Sequence, residues 1–416
     1  MTRTGDDALG LYISIPFCRS KCAYCNFASG VFPAAEHVRY VERLIRDLSA
    51  AGEWAGRMGV ELPRRVDTVY LGGGTPTLLT PELLKRLFAA MRAEFDFEPG
   101  AEVTVECAPG QLADETLAAL IAAGADRVSL GVQSFIDREA AMSGRLHCRA
   151  VALAEFERLR AAGIANLNVD LIAGLAGQAF ASWEESLAVL IDSGVPHASV
   201  YMLEIDEDSR LGREMLAGGA RYHAGLVPSE DAIARMYSTA VERLGQTGLG
   251  QYEISNFCRY GFESRHNLRY WRRRPYLGLG LDASSMLRAA IDGKEQGRVL
   301  RSTTTDNLAE YLAGREPVET AWLTPVRQHE EAWFLGLRMN TGVEVAALQQ
   351  EFGPAMAAPA LEVVARLVET GLLTSDGQTV RLTAQGRLLS NDVFQEFLGP
   401  VSNAGPNRRS PPAAQR

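Results

Sequence analysis

The 416-residue chain lacks any run approaching the roughly 18 uncharged apolar residues that a membrane helix needs, so no membrane span is expected. Its opening residues, MTRTGDDALG, lack the basic-then-apolar order of a signal peptide, and the expected compartment is therefore the cytoplasm. Surplus basic charge is also missing. Lys and Arg number 42 against 51 Asp and Glu, a formal net charge of −9 that argues against nucleic acid as the main partner. Cysteine is scarce, with six in all, and a reducing compartment excludes a disulfide framework. Three of the six nevertheless crowd into CRSKCAYC, residues 18–25, and the run then stops at Phe27 without a fourth. Clustered thiols in such a compartment point to metal or redox chemistry.

A hydrophobic content of 47% supports a full-sized core, and the length suggests about two to three domains. Strand-length apolar stretches read LYISIPF (11–17), RVDTVYLGG (65–73), AEVTVECAP (101–109), RVSLGVQS (127–134), NLNVDLIAG (166–174) and HASVYML (197–203). They alternate with helix-period segments at 37–51, 81–95, 114–123, 149–162 and 180–193, and Ile233, Met236, Tyr237, Ala240, Val241 and Leu244 then share one helical face. Six strand-helix units in series predict an α/β fold with a parallel sheet, closed or curved as part of a barrel. Chemistry in such folds sits at the carboxyl ends of the strands, which gathers Cys18, Gly73, Glu106, Gln133 and Asp170 around one mouth. From 329 the pattern changes to short helices, then two strand-like runs about an Asp-Gly turn in GLLTSDGQTVRLT, then AQGRLLSNDVFQEFL. We read this as a small winged-helix-like α+β domain. Its charge speaks against DNA reading, since Thr341 to Leu398 holds three arginines and seven carboxylates. The expected organisation is a core over 1–300, a connector over 301–328, the small domain over 329–398 and a disordered tail over 399–416.

Cys18, Cys22 and Cys25 have the spacing C-x3-C-x2-C. Structural zinc closes its tetrahedron with four Cys or His ligands, and Asn26 and Phe27 cannot supply the fourth. A four-thiolate ferredoxin is likewise excluded by the spacing. Three thiolates on a four-iron cluster leave one iron open to chelation by a bound molecule. The plain alternative is three unrelated buried thiols, because free cysteine is often a core residue.

The cysteine triplet, the glycine run YLGGGTPT (70–77) and the later strands resemble, in order and over most of the chain, the motifs of the radical S-adenosylmethionine (SAM) family. The resemblance implies a partial (βα)6 barrel, a [4Fe–4S] cluster on Cys18, Cys22 and Cys25, and SAM bound to it. Glycines at 72, 73 and 74 remove every Cβ, so backbone can approach a ligand closely. LYISIPFC, VTVECAPG, RVSLGVQSF and NVDLIAGLAGQ are more similar still to the branch that contains oxygen-independent coproporphyrinogen III oxidase and its heme-chaperone relatives. That resemblance implies SAM contacts from Tyr12, Tyr24, Gly73, Gly74, Thr75, Glu106, Gln133, Arg145 and Asp170, with Gly74, Thr75, Gln133, Arg145 and Asp170 touching either this molecule or a second one. For Glu106 and Asp170 the plain alternative is an ion pair at a strand end.

Two features separate the members of the branch. The oxidase has a fourth cysteine where this chain has Phe27, and the chaperones share an H-N-x-x-Y-W motif that is present here as HNLRYW. By resemblance His266, Asn267, Tyr270 and Trp271 would contact heme, through an axial imidazole and stacking rings. The implied function is a heme chaperone that delivers heme to acceptors such as cytochromes, with an electron donor for the cluster; a homodimer is compatible with it. The alternative is the oxidase itself, an oxidative decarboxylase of coproporphyrinogen III. A radical enzyme acting on RNA is disfavoured by the net charge. The chain departs from the branch pattern at Cys107, Ala108, Ala176 and Ser284, the last standing where a histidine is common. Cys148 and Cys258 have no partner spacing. Arg272 to Arg274 are either a solvated face or partners for porphyrin propionates.

Overall fold

A computed structural model describes residues 8–290, 297–314 and 319–399; residues 400–416, most of the expected disordered tail, lie outside the described residues. Strands β1 (Leu9–Ile15), β2 (Arg65–Gly73), β3 (Asp96–Cys107), β4 (Arg127–Gln133), β5 (Asn166–Ala173) and β6 (His197–Met202) pair in sequence order. Every pairing among them is parallel. Helices Ala34–Met58, Pro81–Glu94, Asp114–Ala122, Arg149–Ala161, Phe180–Asp192 and Glu230–Gln246 follow the strands in turn. Their apolar stripes cover one face of the sheet. In the first helix Tyr40, Leu44, Leu48, Ala51 and Ala55 are buried at three- and four-residue spacing against Leu9, Leu11, Ile13 and Ile15 of β1.

The opposite face is polar. Alternation along each strand turns Ser14, Thr68, Thr104, Ser129, Asn168 and Ser199 away from the helical layer, and all six are buried. The interior therefore departs from the packed apolar layers that fill a closed barrel, and it is shaped to hold something polar.

The six strands do not close. The free edge of β1 pairs in parallel with β9 (Tyr276–Leu279), and that of β6 pairs antiparallel with β8 (Asn256–Cys258), itself paired with β7 (Gly250–Gln251). Beyond β9, strands β10 (Ser284–Arg288), β11 (Val299–Thr303) and β12 (Glu319–Leu323) add antiparallel to give a twelve-stranded sheet. The fold is thus an open, curved (βα)6 sheet. The additions at its two edges went unread because their strands are short and find their partners over long sequence separations.

A small α+β part follows. Helices Pro325–Arg338, Val345–Phe352 and Pro354–Glu369 pack with β13 (Val343–Glu344), β14 (Leu373–Ser375) and β15 (Thr379–Leu382) around a second apolar core that includes Trp333, Leu337, Leu367 and Val380. The expected Asp-Gly turn joins β14 to β15, and the Asp376 carboxylate accepts the N–H groups of Gln378 (2.9 Å) and Thr379 (2.7 Å).

HNLRYW forms a short helix, Arg265–Trp271, seated under the sheet. Buried Glu102 of β3 caps it, accepting the N–H groups of Arg265 (2.9 Å) and His266 (3.0 Å). Arg269, 2% exposed, fastens it by pairing with Asp67 of β2 and donating to the carbonyls of Ala8 (2.7 Å) and Pro275 (2.9 Å). This one guanidinium holds β1, β2 and the approach to β9 together. Arg269→Met would strand Asp67 without its cation, and breaking such a buried pair costs about 3–5 kcal/mol. The expected result is a large loss of unfolding free energy in chemical denaturation, whereas Arg272→Met should leave it unchanged.

Candidate functional site

Residues 16–30 leave β1 and return to it. The N–H of Gly30 bonds the Pro16 carbonyl and that of Cys18 bonds the Gly30 carbonyl, both at 2.8 Å. The loop is pinned from outside by Ala23 N–H to the Ser143 carbonyl (3.0 Å), Leu211 N–H to the Ala23 carbonyl (2.8 Å) and Arg210 to the Lys21 carbonyl (3.0 Å). Those anchors come from the short helices Asp137–Ser143 and Arg210–Ala217, neither of which had been read as a helix. All six cysteines are unpaired. Burial pushes the Cys18 thiol up, a hydrogen bond from Ser29 opposes this, and neighbouring Cys25 and Cys22 add to it. Among the described residues no three His, Cys, Asp or Glu side chains form a group that could hold a metal ion. Cys18, Cys22 and Cys25 share this one pinned loop.

The glycine segment meets this loop edge to edge. Pairing of β2 with β1 continues past both strands, with the Gly74 N–H on the Ile15 carbonyl (2.8 Å) and the Thr75 N–H on the Phe17 carbonyl (2.7 Å). A Cβ on Gly74 would lie 2.7 Å from the Phe17 oxygen, so only glycine fits. Gly73, at φ 98°, turns its N–H onto the Glu106 carboxylate (3.0 Å), whose other oxygen accepts the Tyr70 hydroxyl (2.9 Å). Burial pushes the Glu106 carboxyl up to about 7, and the charge of nearby Asp170 adds to the shift. Burial also raises Asp170, which accepts from Asn168 (2.7 Å) and Ser129 (3.4 Å). Arg145 donates to Cys22 Sγ (3.7 Å) and to the Gly131 carbonyl, which puts a guanidinium beside the Cys22 sulfur. Gln133 holds a left-handed backbone, φ 71°, unusual for its type, and its buried Oε1 has no partner among the described residues.

A cavity of about 1000 Å³ joins these groups. Its walls bring together Cys18, Cys22, Cys25, Tyr24, Gly73, Gly74, Thr75, Glu106, Gln133, Arg145 and Asp170, and at another part Asn267 and Trp271. Tyr12, His266 and Tyr270 are not in its walls. Tyr12 stands beside Tyr70, ring centroids 6.1 Å apart. His266 is fully buried with both ring nitrogens engaged, Nδ1 with Thr68 (2.9 Å) and Nε2 with Tyr270 (2.8 Å). Burial, then the charge of Arg127, pushes its imidazole down to about 3. The arginine run also lies outside the cavity walls, with Arg273 paired to Glu351 at 2.6 Å. Ser284 faces Thr303 across β10 and β11 at 3.1 Å.

Sequence reasoning missed much of the lining. Arg127, Ser129, Asn168 and Ser199 project from the strands, and Phe334, Arg338 and Phe394 come from the C-terminal part. Of the first set, Arg127 and Ser129 could have been found from the alternation Arg127, Ser129, Gly131, Gln133 along β4. Nothing local marks the second.

An open parallel sheet with a three-thiol loop after its first strand and a glycine segment after its second defines the radical SAM class, whose superfamily model matches residues 12–190. The model described as the HemN C-terminal domain matches residues 323–389. Similar curated proteins include the heme chaperone HemW of Lactococcus lactis, 33% identical over 93% of this chain and 96% of its own, and that of Bacillus subtilis, 32% identical over 93% and 98%. The HemW of Escherichia coli is 29% identical over 94% and 98%. The chain belongs to the HemW family of radical SAM proteins. Among solved structures, coproporphyrinogen III oxidase (HemN) from E. coli shares the fold, with a TM-score of 0.79 and 23% identity over 95% of this chain and 91% of the other. The family implies a [4Fe–4S] cluster and SAM, and the site just described fits both.

Two outcomes follow. Anaerobically reconstituted protein should carry about four irons. Cys18→Ser, Cys22→Ser or Cys25→Ser should lose them and Cys148→Ser should not, as read by iron assay. Glu106 binds its proton more tightly in the folded chain, at about 7, than in the unfolded chain, near 4.5, so its contribution to stability is present at low pH and fades as pH rises through this window. Glu106→Gln should remove that decline. Melts of ligand-free parent and variant should then diverge in the variant's favour as pH rises, and parallel Tm profiles would refute the assignment.

Proposed function

We propose that this protein binds heme in the cavity and passes it to heme-accepting proteins such as cytochromes, in the cytoplasm. The observation that carries the reading is the continuity of the cavity. It runs from the cysteine loop to Asn267 and Trp271 of the HNLRYW helix and on to apolar Phe334, Leu335, Phe394 and Leu398. A flat, largely apolar macrocycle with acidic edges suits such walls. Support also comes from Trp271 Nε1 and Asn267 Oδ1, which are buried without a partner among the described residues, and from Arg338, whose guanidinium lies 4.3 Å from the Trp271 ring centroid. The names of the full-length relatives point the same way, as does Phe27 at the position of the oxidase's fourth cysteine.

In this reading the motif divides its labour. Asn267 and Trp271 touch heme, while His266 and Tyr270 support them from behind, His266 bonded to Thr68 and Tyr270 bonded to His266. When bound, the cluster and SAM would supply one-electron chemistry, and Glu106, Asp170, Gln133 and Arg145 would bind and orient SAM. An external electron donor is then required.

Hemin titration followed in the Soret region tests the proposal. Trp271→Ala should weaken binding about tenfold, the scale of one lost aromatic contact plus its apolar area. His266→Gln should leave the Soret position unchanged, because its ring is not the iron ligand, while lowering thermal stability. Bound heme should transfer to an apo-cytochrome, and coproporphyrinogen III should release no carbon dioxide with SAM and reductant. Sustained decarboxylation without hemin affinity would make the oxidase the better reading.

A further inference from the structure

Arg127 opens β4 and is 2% exposed, one of the most deeply buried large side chains in the molecule. Other buried guanidiniums are matched. Arg269, equally buried, pairs with Asp67 and donates to two carbonyls. Arg301 pairs with Glu331 (2.7 Å) and donates to Tyr276 (2.5 Å), and Arg145 donates to Gly131 and Cys22. Arg127 differs. Its side chain makes no hydrogen bond and no ion pair within 4 Å among the described residues, and its Nε is enclosed without a partner.

The three carboxylates that feel its charge are already engaged, Asp126 by accepting the Val103 N–H (2.7 Å). Glu102 accepts from the Arg265 and His266 N–H groups and Thr104 (3.4 Å), and Asp170 accepts from Asn168 and Ser129. The charge is felt widely. His197 and His266 are both held low, by burial first and by Arg127 second. A lysine so placed could shed its proton, but a guanidinium cannot, so the cost of burying this charge persists until an anion meets it.

Arg127 also lines the cavity, on the same face of β4 as Ser129, Gly131 and Gln133. Six residues separate it from Gln133, roughly 20 Å at about 3.3 Å per residue. It therefore forms the far floor, opposite the mouth where the cysteines lie. We infer that Arg127 is the receptor for a carboxylate of the molecule held in this cavity, taken by the planar fork that matches a carboxylate's two oxygens. Two sources share that chemistry, a heme propionate and the amino-acid end of a second SAM molecule, other than the one the cluster iron would chelate at the mouth. The first rests on the heme-binding reading above, and the second does not.

The experiment uses the reconstituted full-length protein and three probes: hemin, hemin dimethyl ester, whose propionates are uncharged, and SAM. Arg127→Gln should lose roughly tenfold or more of the affinity for the probe whose carboxylate it holds. Loss for hemin with none for the diester assigns the propionate, and loss for SAM with hemin unchanged assigns the amino-acid carboxylate. Ligand-free Arg127→Gln should melt no lower than the parent, an outcome a purely structural arginine would not give. Should this variant not fold, Arg127→Lys is read in its place; it keeps the charge, loses the fork, and should show a several-fold loss for the same probe. Parent-like affinity for both hemin and SAM overturns the inference, and so does a lowered melting point without a change in either. If the parent itself binds no hemin, the heme reading fails and the SAM measurement alone decides Arg127.

Discussion

Much of the site depends on the backbone pairing that carries β1 and β2 past their own ends. The Gly74 and Thr75 N–H groups bond the Ile15 and Phe17 carbonyls at 2.8 and 2.7 Å, which draws the glycine segment against the root of the cysteine loop. No side chain fits between them, because a Cβ on Gly74 would strike the Phe17 oxygen. From this contact the cysteines are aimed over the sheet, Gly73 is turned toward Glu106, and the cavity acquires its mouth. Side-chain chemistry alone could not hold two such segments in so close a register. Backbone bonds can, since they are short, directional and independent of residue type.

Above this junction the sheet is used in an unusual way for a parallel fold. One face carries the apolar residues that meet the helices, and the other carries Ser14, Thr104, Ser129, Asn168 and Ser199 together with Glu106, Asp170 and Arg127. Such an interior is costly unless each group finds a partner. Most do, and the exceptions are informative. Among the described residues, Gln133 Oε1, Asn267 Oδ1, Trp271 Nε1 and Arg127 Nε are enclosed without one and line the cavity, as do Gln111 Oε1 and Arg338 Nε, while His147, Asn166 and Glu253 hold such atoms away from it. These groups leave donors and acceptors facing different parts of the cavity, and the guanidiniums of Arg127 and Arg145 make its wall positive where they stand.

The HNLRYW helix shows how a motif read as a unit can serve two ends. Asn267 and Trp271 reach the cavity wall, whereas His266, Arg269 and Tyr270 tie the helix to β1, β2 and the lead-in to β9. Residues three and four apart share a helical face, so Asn267 and Trp271 project on one side and His266, Arg269 and Tyr270 on another.

What the sequence determined by itself is what local chemistry determines. The order of six parallel units followed from apolar runs alternating with helical stripes, and the cysteine loop and glycine segment were recognisable because their residue types and spacing are their function. The Asp-Gly turn between β14 and β15 was visible for the same reason. Tertiary structure alone decided which side of each element faces the cavity and what closes its far wall. Packing alone placed Thr68 and Tyr270 on the two nitrogens of His266, and packing alone enclosed the Arg127 Nε without a partner among the described residues. Phe334 and Phe394 join the wall from about 130 and 190 residues beyond β6, across separations over which no pattern in the chain carries information. Burial and partnership belong to pairs of distant residues, and they are defined only once the chain has closed on itself.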